Sequence, residues 1–168
     1  MQCKTTDSRR FYPDVQTALA ESFTSPIDSN FVESLCSRPG CGAQWGYTVQ
    51  EVRQSPQVLL LQLQRWESEW TPAGLLYRRI PSCMSINDSI TLGGARLQLK
   101  AVIFHQGVTP NGGHYVAVAK HGNGSNSFFL YNDALRREAD SFQHNVCTEF
   151  PPAGEFHAAA LLYERASS

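Results

Sequence analysis

At 168 residues, 42% of them apolar and 17% charged, the chain is long enough to bury a core and too apolar to stay disordered. Fourteen basic residues against fifteen acidic ones leave a net charge of −1, which argues against a general nucleic-acid binder, since such a protein carries a basic face. The longest aliphatic run, Val58 to Leu61, is far too short to cross a bilayer, and the first residues carry no apolar signal segment, so no membrane is expected as a partner.

In chain order, the first expected element is a short amphipathic helix over residues 14–23, with Asp14 as its N-cap and Val15, Ala18, Leu19 and Phe23 on its apolar face. The segment "CSRPGC", Cys36 to Cys41, is a turn between two cysteines. Five cysteines at irregular spacing, an odd number, read as reduced thiols of the cytoplasm or nucleus. From residue 57 the chain reads as strands. "QVLLLQLQRW" (57–66) is nearly all apolar in its middle, which predicts a strand covered on both faces. Residues 70–89, rich in Pro, Gly and Ser, read as irregular. "ARLQLKAVIFHQ" (95–106) predicts a strand with Leu97, Leu99, Ala101 and Ile103 on one face and Val102 and Phe104 on the other. "HYVAVAKH" (114–121) and "SFFLYND" (127–133) predict two more, joined by "GNGSN"; "FHAAALLYER" (156–165) predicts a last strand or a short helix. Consecutive strands with little helix between them make an α+β chain with a mostly antiparallel sheet.

The stretch "GVTPNGGHYVAVAK" (107–120) places turn residues, two glycines and a histidine ahead of an alternating strand. Asn-Gly is a hairpin signal, because both residues tolerate positive φ, and a histidine at a strand mouth is ordinary. The next strand adds the chemistry. If 114–121 pairs with 127–133 around a turn near Asn123, His114 falls opposite Asn132. A carboxamide on one imidazole nitrogen fixes the tautomer and ring angle, which leaves the other nitrogen to act as a base. Cys-His-Asn is a known cysteine-protease arrangement, in which a neighbouring imidazolium stabilises the thiolate. Asn132 is neutral, so its part would be orientation. Other histidines carry no such signal. His105 and His121 read as polar strand-end residues, and His144 and His157 have no evident partner. Arg78-Arg79 reads as a solvated surface pair, and Trp45, Trp66 and Trp70 as core or rim aromatics.

Five blocks stand in order: "LQLQRW" (61–66), "LQLKAVIFHQG" (97–107), "GGHYVAVAK" (112–120), "FFLYNDALRR" (128–137) and "AALLYER" (159–165). Together, over residues 14–165, they resemble the C-terminal half of a ubiquitin-specific protease, a papain-like cysteine deubiquitinase. The resemblance implies a hand-shaped domain, here a mostly antiparallel fingers and palm with the helical thumb missing. Residues 1–56 would be a degenerate fingers region with one short helix, and 57–168 the palm. His114 would be the general base, Asn132 the orienting residue and Asp133 an assisting polar neighbour. Ubiquitin or ubiquitinated proteins would be the partners, with Gly112, Gly113 and Tyr115 at the passage for ubiquitin's Gly-Gly tail. Such a passage needs backbone without side chains at its wall.

The departure from the family lies in the nucleophile. The family carries it in a Gly-Asn-Thr-Cys segment at a helix N-terminus, near the start of the domain. None of Cys3, Cys36, Cys41, Cys83 and Cys147 lies in such a segment. The chain therefore reads as part of a deubiquitinase that needs its missing N-terminal half. The alternative is a catalytically inactive ubiquitin-binding or scaffold module. Many family members also carry a four-cysteine zinc ribbon at the fingertips. Cys36 and Cys41 match its second pair, with four residues between them rather than two, and Cys3 matches half of the first, with Thr6 in its partner's place. Three thiolates and a threonine make a poor structural zinc site, so a degenerate ribbon without metal is expected, and no other cofactor.

Overall fold

The computed structural model describes residues 2–3, 12–24, 31–33, 45–47, 52–80, 84–122, 127–139, 141–142 and 156–166. Helix α1 spans Val15–Thr24, as its spacing predicts. Asp14 caps it: Oδ1 accepts from the Thr17 amide at 2.9 Å, and Oδ2 accepts from the Thr17 hydroxyl at 3.1 Å. Val15, Ala18 and Leu19, at i, i+3 and i+4, are all buried on one stripe. From the same helix the Gln16 amide grips Thr91. Its Oε1 accepts from the Thr91 N–H at 2.6 Å, and its Nε2 donates to the Thr91 carbonyl at 3.2 Å.

The strands are β1 (Gln2–Cys3), β2 (Phe31–Glu33), β3 (Trp45–Tyr47), β4 (Val58–Leu63), β5 (Trp66–Thr71), β6 (Gly74–Arg79), β7 (Ser89–Leu92), β8 (Ala95–Thr109), β9 (Gly112–Lys120), β10 (Phe128–Asn132), β11 (Leu135–Ala139) and β12 (His157–Arg165). The large sheet runs β1–β4–β12–β8–β9–β10–β11, and β7 pairs β8 beside that path. Only β1 with β4 is parallel among these pairs. The sheet is therefore mostly antiparallel and accompanied by one described helix, as the sequence predicts. The β2–β3 and β5–β6 pairs form two-stranded sheets of their own.

Four of these strands, β5, β6, β7 and β11, escape the sequence reading; β6 lies within 70–89, read as irregular, and β5 and β7 overlap its ends. β5 and β6 meet across Pro72-Ala73, with Thr71 paired to Gly74. β7 turns into β8 through Gly93 and Gly94, whose φ values of 55° and 77° suit a two-glycine hairpin turn. β11 follows β10 across Asp133-Ala134. Asp133 takes a φ of 51°, a left-handed conformation that Asp tolerates. The final segment resolves as strand β12, which lies between β4 and β8 near the middle of the sheet.

Two expectations about faces are corrected. β4 is not covered on both sides: Leu59, Leu61 and Leu63 are buried, while Val58 and Leu60 are each 54% exposed. On β8, the core face carries Leu97, Leu99, Val102 and Phe104, rather than Leu97, Leu99, Ala101 and Ile103. The cause is an irregularity in the β12–β8 ladder. Leu162 pairs with Ala101 but Tyr163 pairs with Leu99, so Lys100 is the extra residue and the inward phase shifts by one. With α1 and residues of β7, β9, β10 and β12, this face forms the main core.

Candidate active site

His114 lies near the start of β9 and Asn132 ends β10. The β9–β10 register runs from Phe128↔Lys120 to Tyr131↔Ala117. Continued one step, it sets Asn132 opposite Val116, so the expected direct pairing with His114 is off by two residues. A shift of two keeps both side chains on one face, and diagonal neighbours remain within reach of long side chains. His114 Nε2 donates to Asn132 Oδ1 at 2.6 Å. Asn132 Oδ1 can only accept, so Nε2 carries a proton, and in the neutral ring the lone pair lies on Nδ1. Phe156, just before β12, meets the His114 ring edge-on at 6.2 Å between centroids. The pair thus stands on the core-side face of the sheet, with one ring nitrogen fixed by Asn132.

The remaining expected site residues separate. Asp133 is exposed in the β10–β11 turn. Tyr115, 54% exposed, follows His114 along the strand and therefore faces the other side of the sheet. Gly112 has room for a side chain, since an added Cβ would meet Thr109 Oγ1 at an ordinary 3.6 Å. Gly113 has none. Its φ is 147°, and a Cβ there would run into the Gln106 carbonyl and lie 2.5 Å from His105 Nε2. Of Cys3 the backbone is described, paired to Leu63; Cys36, Cys41, Cys83 and Cys147 lie outside the described residues. The expected ribbon is therefore not placed.

A second group, unrecognised in the sequence, lies behind this pair. His105 is mid-strand and 2% exposed, not a strand-end polar residue, and His157 is 6% exposed. The two are paired across β8 and β12, with ring centroids 5.2 Å apart. Trp66 stands edge-on to both, at 6.5 and 6.2 Å. Arg79 lies over the Trp66 ring at 5.3 Å rather than in solvent. It donates to the Gly107 carbonyl at 3.0 Å and to His157 Nδ1 at 2.9 Å. A guanidinium only donates, so His157 Nδ1 is unprotonated. Burial, reinforced by the Arg79 charge and opposed by the nearby Gly112 carbonyl, holds the His105 pKa below its ordinary value. The signal in the sequence was His105 two residues ahead of Gly107, in a strand where alternation gives no reason for a glycine.

The family described as ubiquitin carboxyl-terminal hydrolase matches residues 4–163. Among solved structures, the fold is similar to the Ubp8 deubiquitinating module of SAGA bound to monoubiquitin, with Sgf11, Sus1 and Sgf73, at a TM-score of 0.61 and 19% identity over 99% of this chain. Two further Ubp8 module structures give TM-scores of 0.54 and 0.53, each at 22% identity, over 88% and 89% of this chain. The chain spans about a third of the length of those proteins: 34%, 29% and 31%. None of the curated proteins compared with it matches. Five ordered sequence blocks, a family match over nearly the whole length and a shared fold agree: the chain belongs to the ubiquitin carboxyl-terminal hydrolase family, as a domain of the ubiquitin-specific protease type.

Proposed function

We propose that this chain supplies the base and its orienting residue to a cysteine-type deubiquitinase that cleaves after the C-terminal Gly-Gly of ubiquitin. The observation that carries this reading is the 2.6 Å hydrogen bond from His114 Nε2 to Asn132 Oδ1, which commits one ring nitrogen and leaves Nδ1 as the one to act as base. The nucleophilic thiol would come from the N-terminal half of the catalytic domain, since no cysteine of this chain lies in a nucleophile-like segment. His114 Nδ1 would take the thiol proton. The resulting thiolate–imidazolium pair then attacks the carbonyl of the terminal glycine. The same imidazolium returns its proton to the departing lysine amine, leaving a thioester. His114 then deprotonates a water that hydrolyses the thioester and frees ubiquitin and the thiol. Asn132 takes no proton at any step and keeps the ring in one tautomer and one plane. Ubiquitin is the proposed partner, the cytoplasm or nucleus the proposed compartment, and no resident metal is required by this chemistry.

The test uses the chain joined to an N-terminal half carrying a Gly-Asn-Thr-Cys segment, with a fluorogenic ubiquitin C-terminal substrate. His114→Ala should abolish turnover. Asn132→Ala should lower kcat by less, because the ring can still visit the productive orientation. Equal rates for the His114 variant and its parent would refute the assignment. The chain alone should leave all five cysteines unlabelled by a ubiquitin probe bearing a C-terminal electrophile.

A further inference from the structure

His105 and His114 belong to opposite faces of the sheet. His114 shares the core-side parity of Val116 and Val118, while His105 pairs with Tyr115 and with His157 on the reverse side. Gly113 directly precedes His114, and its Cβ position lies against the His105 ring and the Gln106 carbonyl. The His105 ring reaches into the space where two side chains would otherwise stand. A Cβ on Gly107 would lie 2.8 Å from His105 Cε1 and 3.0 Å from Nε2, and one on Gly113 would lie 2.5 Å from Nε2. A Cβ on Gly107 would also run into the Gly112 carbonyl and one on Gly113 into the Gln106 carbonyl, so both glycines are fitted to the ring and the facing backbone together. The ring is itself fixed by its surroundings: Trp66 and His157 stand edge-on to it, Tyr115 lies tilted across it at 4.5 Å, and Arg79 holds the Gly107 carbonyl. The β8–β9 ladder is irregular at this point, with no pairing between Gln106↔His114 and Thr109↔Gly112. Gly113 thus sits at a break in the register between two paired residues, where a packed ring can set its position.

We infer that His105 is a positioning residue, a wedge on the reverse face of the sheet that sets the Gly113 backbone and through it the aim of the His114 imidazole at Asn132. A neutral ring suits this role, because a charge there would face the Arg79 guanidinium, and burial keeps the ring neutral. The inference rests on reading His114 as the base, but its geometry can be tested without turnover.

The experiment uses the whole chain with ¹⁵N-labelled histidine. It compares the parent with His105→Ala, which deletes the wedge, and with His105→Gln, which replaces the flat ring by a flexible amide; both leave the His114–Asn132 pair itself untouched. The readouts are the solvent-protected Nε2–H resonance of His114 and its cross-relaxation with the Asn132 side chain. Amide protection at Val118 and Leu130 reports the core. Loss of the His114 signals with the core protection retained is the expected result. Folded variants that keep the parent's His114 signals would overturn the inference. If His105→Ala does not fold, the His105→Gln spectrum decides in the same way. In the joined two-half protein, His105→Gln should lower kcat by roughly 10- to 100-fold with KM unchanged, as expected for a misaimed base. Should His114→Ala leave turnover intact while the spectra change as expected, the wedge stands and the base assignment fails.

Discussion

At the scale of the residue, the environment of an imidazole decides what it can do. His114 is half-exposed with one nitrogen committed; His105 is buried and its pKa is lowered. The second fact has a consequence for stability. Folded His105 binds a proton more weakly than the unfolded chain, whose histidines titrate near 6.5. As pH falls through that value the unfolded state takes up a proton that the folded state does not. The contribution is therefore complete above the unfolded pKa and is lost as pH falls below it. Arg79, His157 and Tyr115 face His105. We expect the urea midpoint to drop between about pH 7.5 and about pH 5.5, and His105→Gln to flatten that drop. An unchanged slope in the variant would place the drop outside His105. The opposite sign applies to Tyr163, whose phenol donates to the Asn87 carbonyl at 2.8 Å and whose pKa is pushed up by burial and Asp88. Its contribution is present below the unfolded pKa and is lost in alkali.

At the scale of the element, alternation decides which substitutions matter. On β4, Leu60 points away from the core at 54% exposure and Leu61 is fully buried. Leu61→Ala should cost about 2–5 kcal/mol in denaturant unfolding, and Leu60→Gln should stay within about 0.5 kcal/mol. Similar losses at both positions would mean that the outer face is covered. The same elements show what was legible in the sequence. Helix α1 was readable to within a residue or two, because an N-cap aspartate and an i, i+3, i+4 stripe are local signals. The His114–Asn132 contact was found through hairpin arithmetic and survived a register error, since a slip of two preserves the face. The face of β8 was misread because the irregularity at Lys100 depends on its pairing with β12, about 60 residues further on, which no window of sequence contains. The buried cluster was missed for a related reason: Trp66, Arg79, His105 and His157 come from four strands and meet only in the tertiary structure.

At the scale of the whole molecule, the order of the strands matters more than their number. β12 enters between β4 and β8, pairing with one along Ala160–Glu164 and with the other along His157–Arg165. Without it the β1–β4 pair and the block running from β8 to β11 share no ladder. Removing residues 157–168 should therefore leave no cooperative unfolding transition, whereas clipping 167–168 alone should leave the transition in place. The strand inserted in the middle of the sheet is thus the last of the described strands to be synthesised. While it is unmade, the nascent chain presents two open edges, on β4 and β8, each with a buried-type leucine face. A sheet assembled in this order closes late, through contacts between distant parts of the sequence, which are slow to form. Until β12 is available to close the gap, those two edges are where non-native pairing would start.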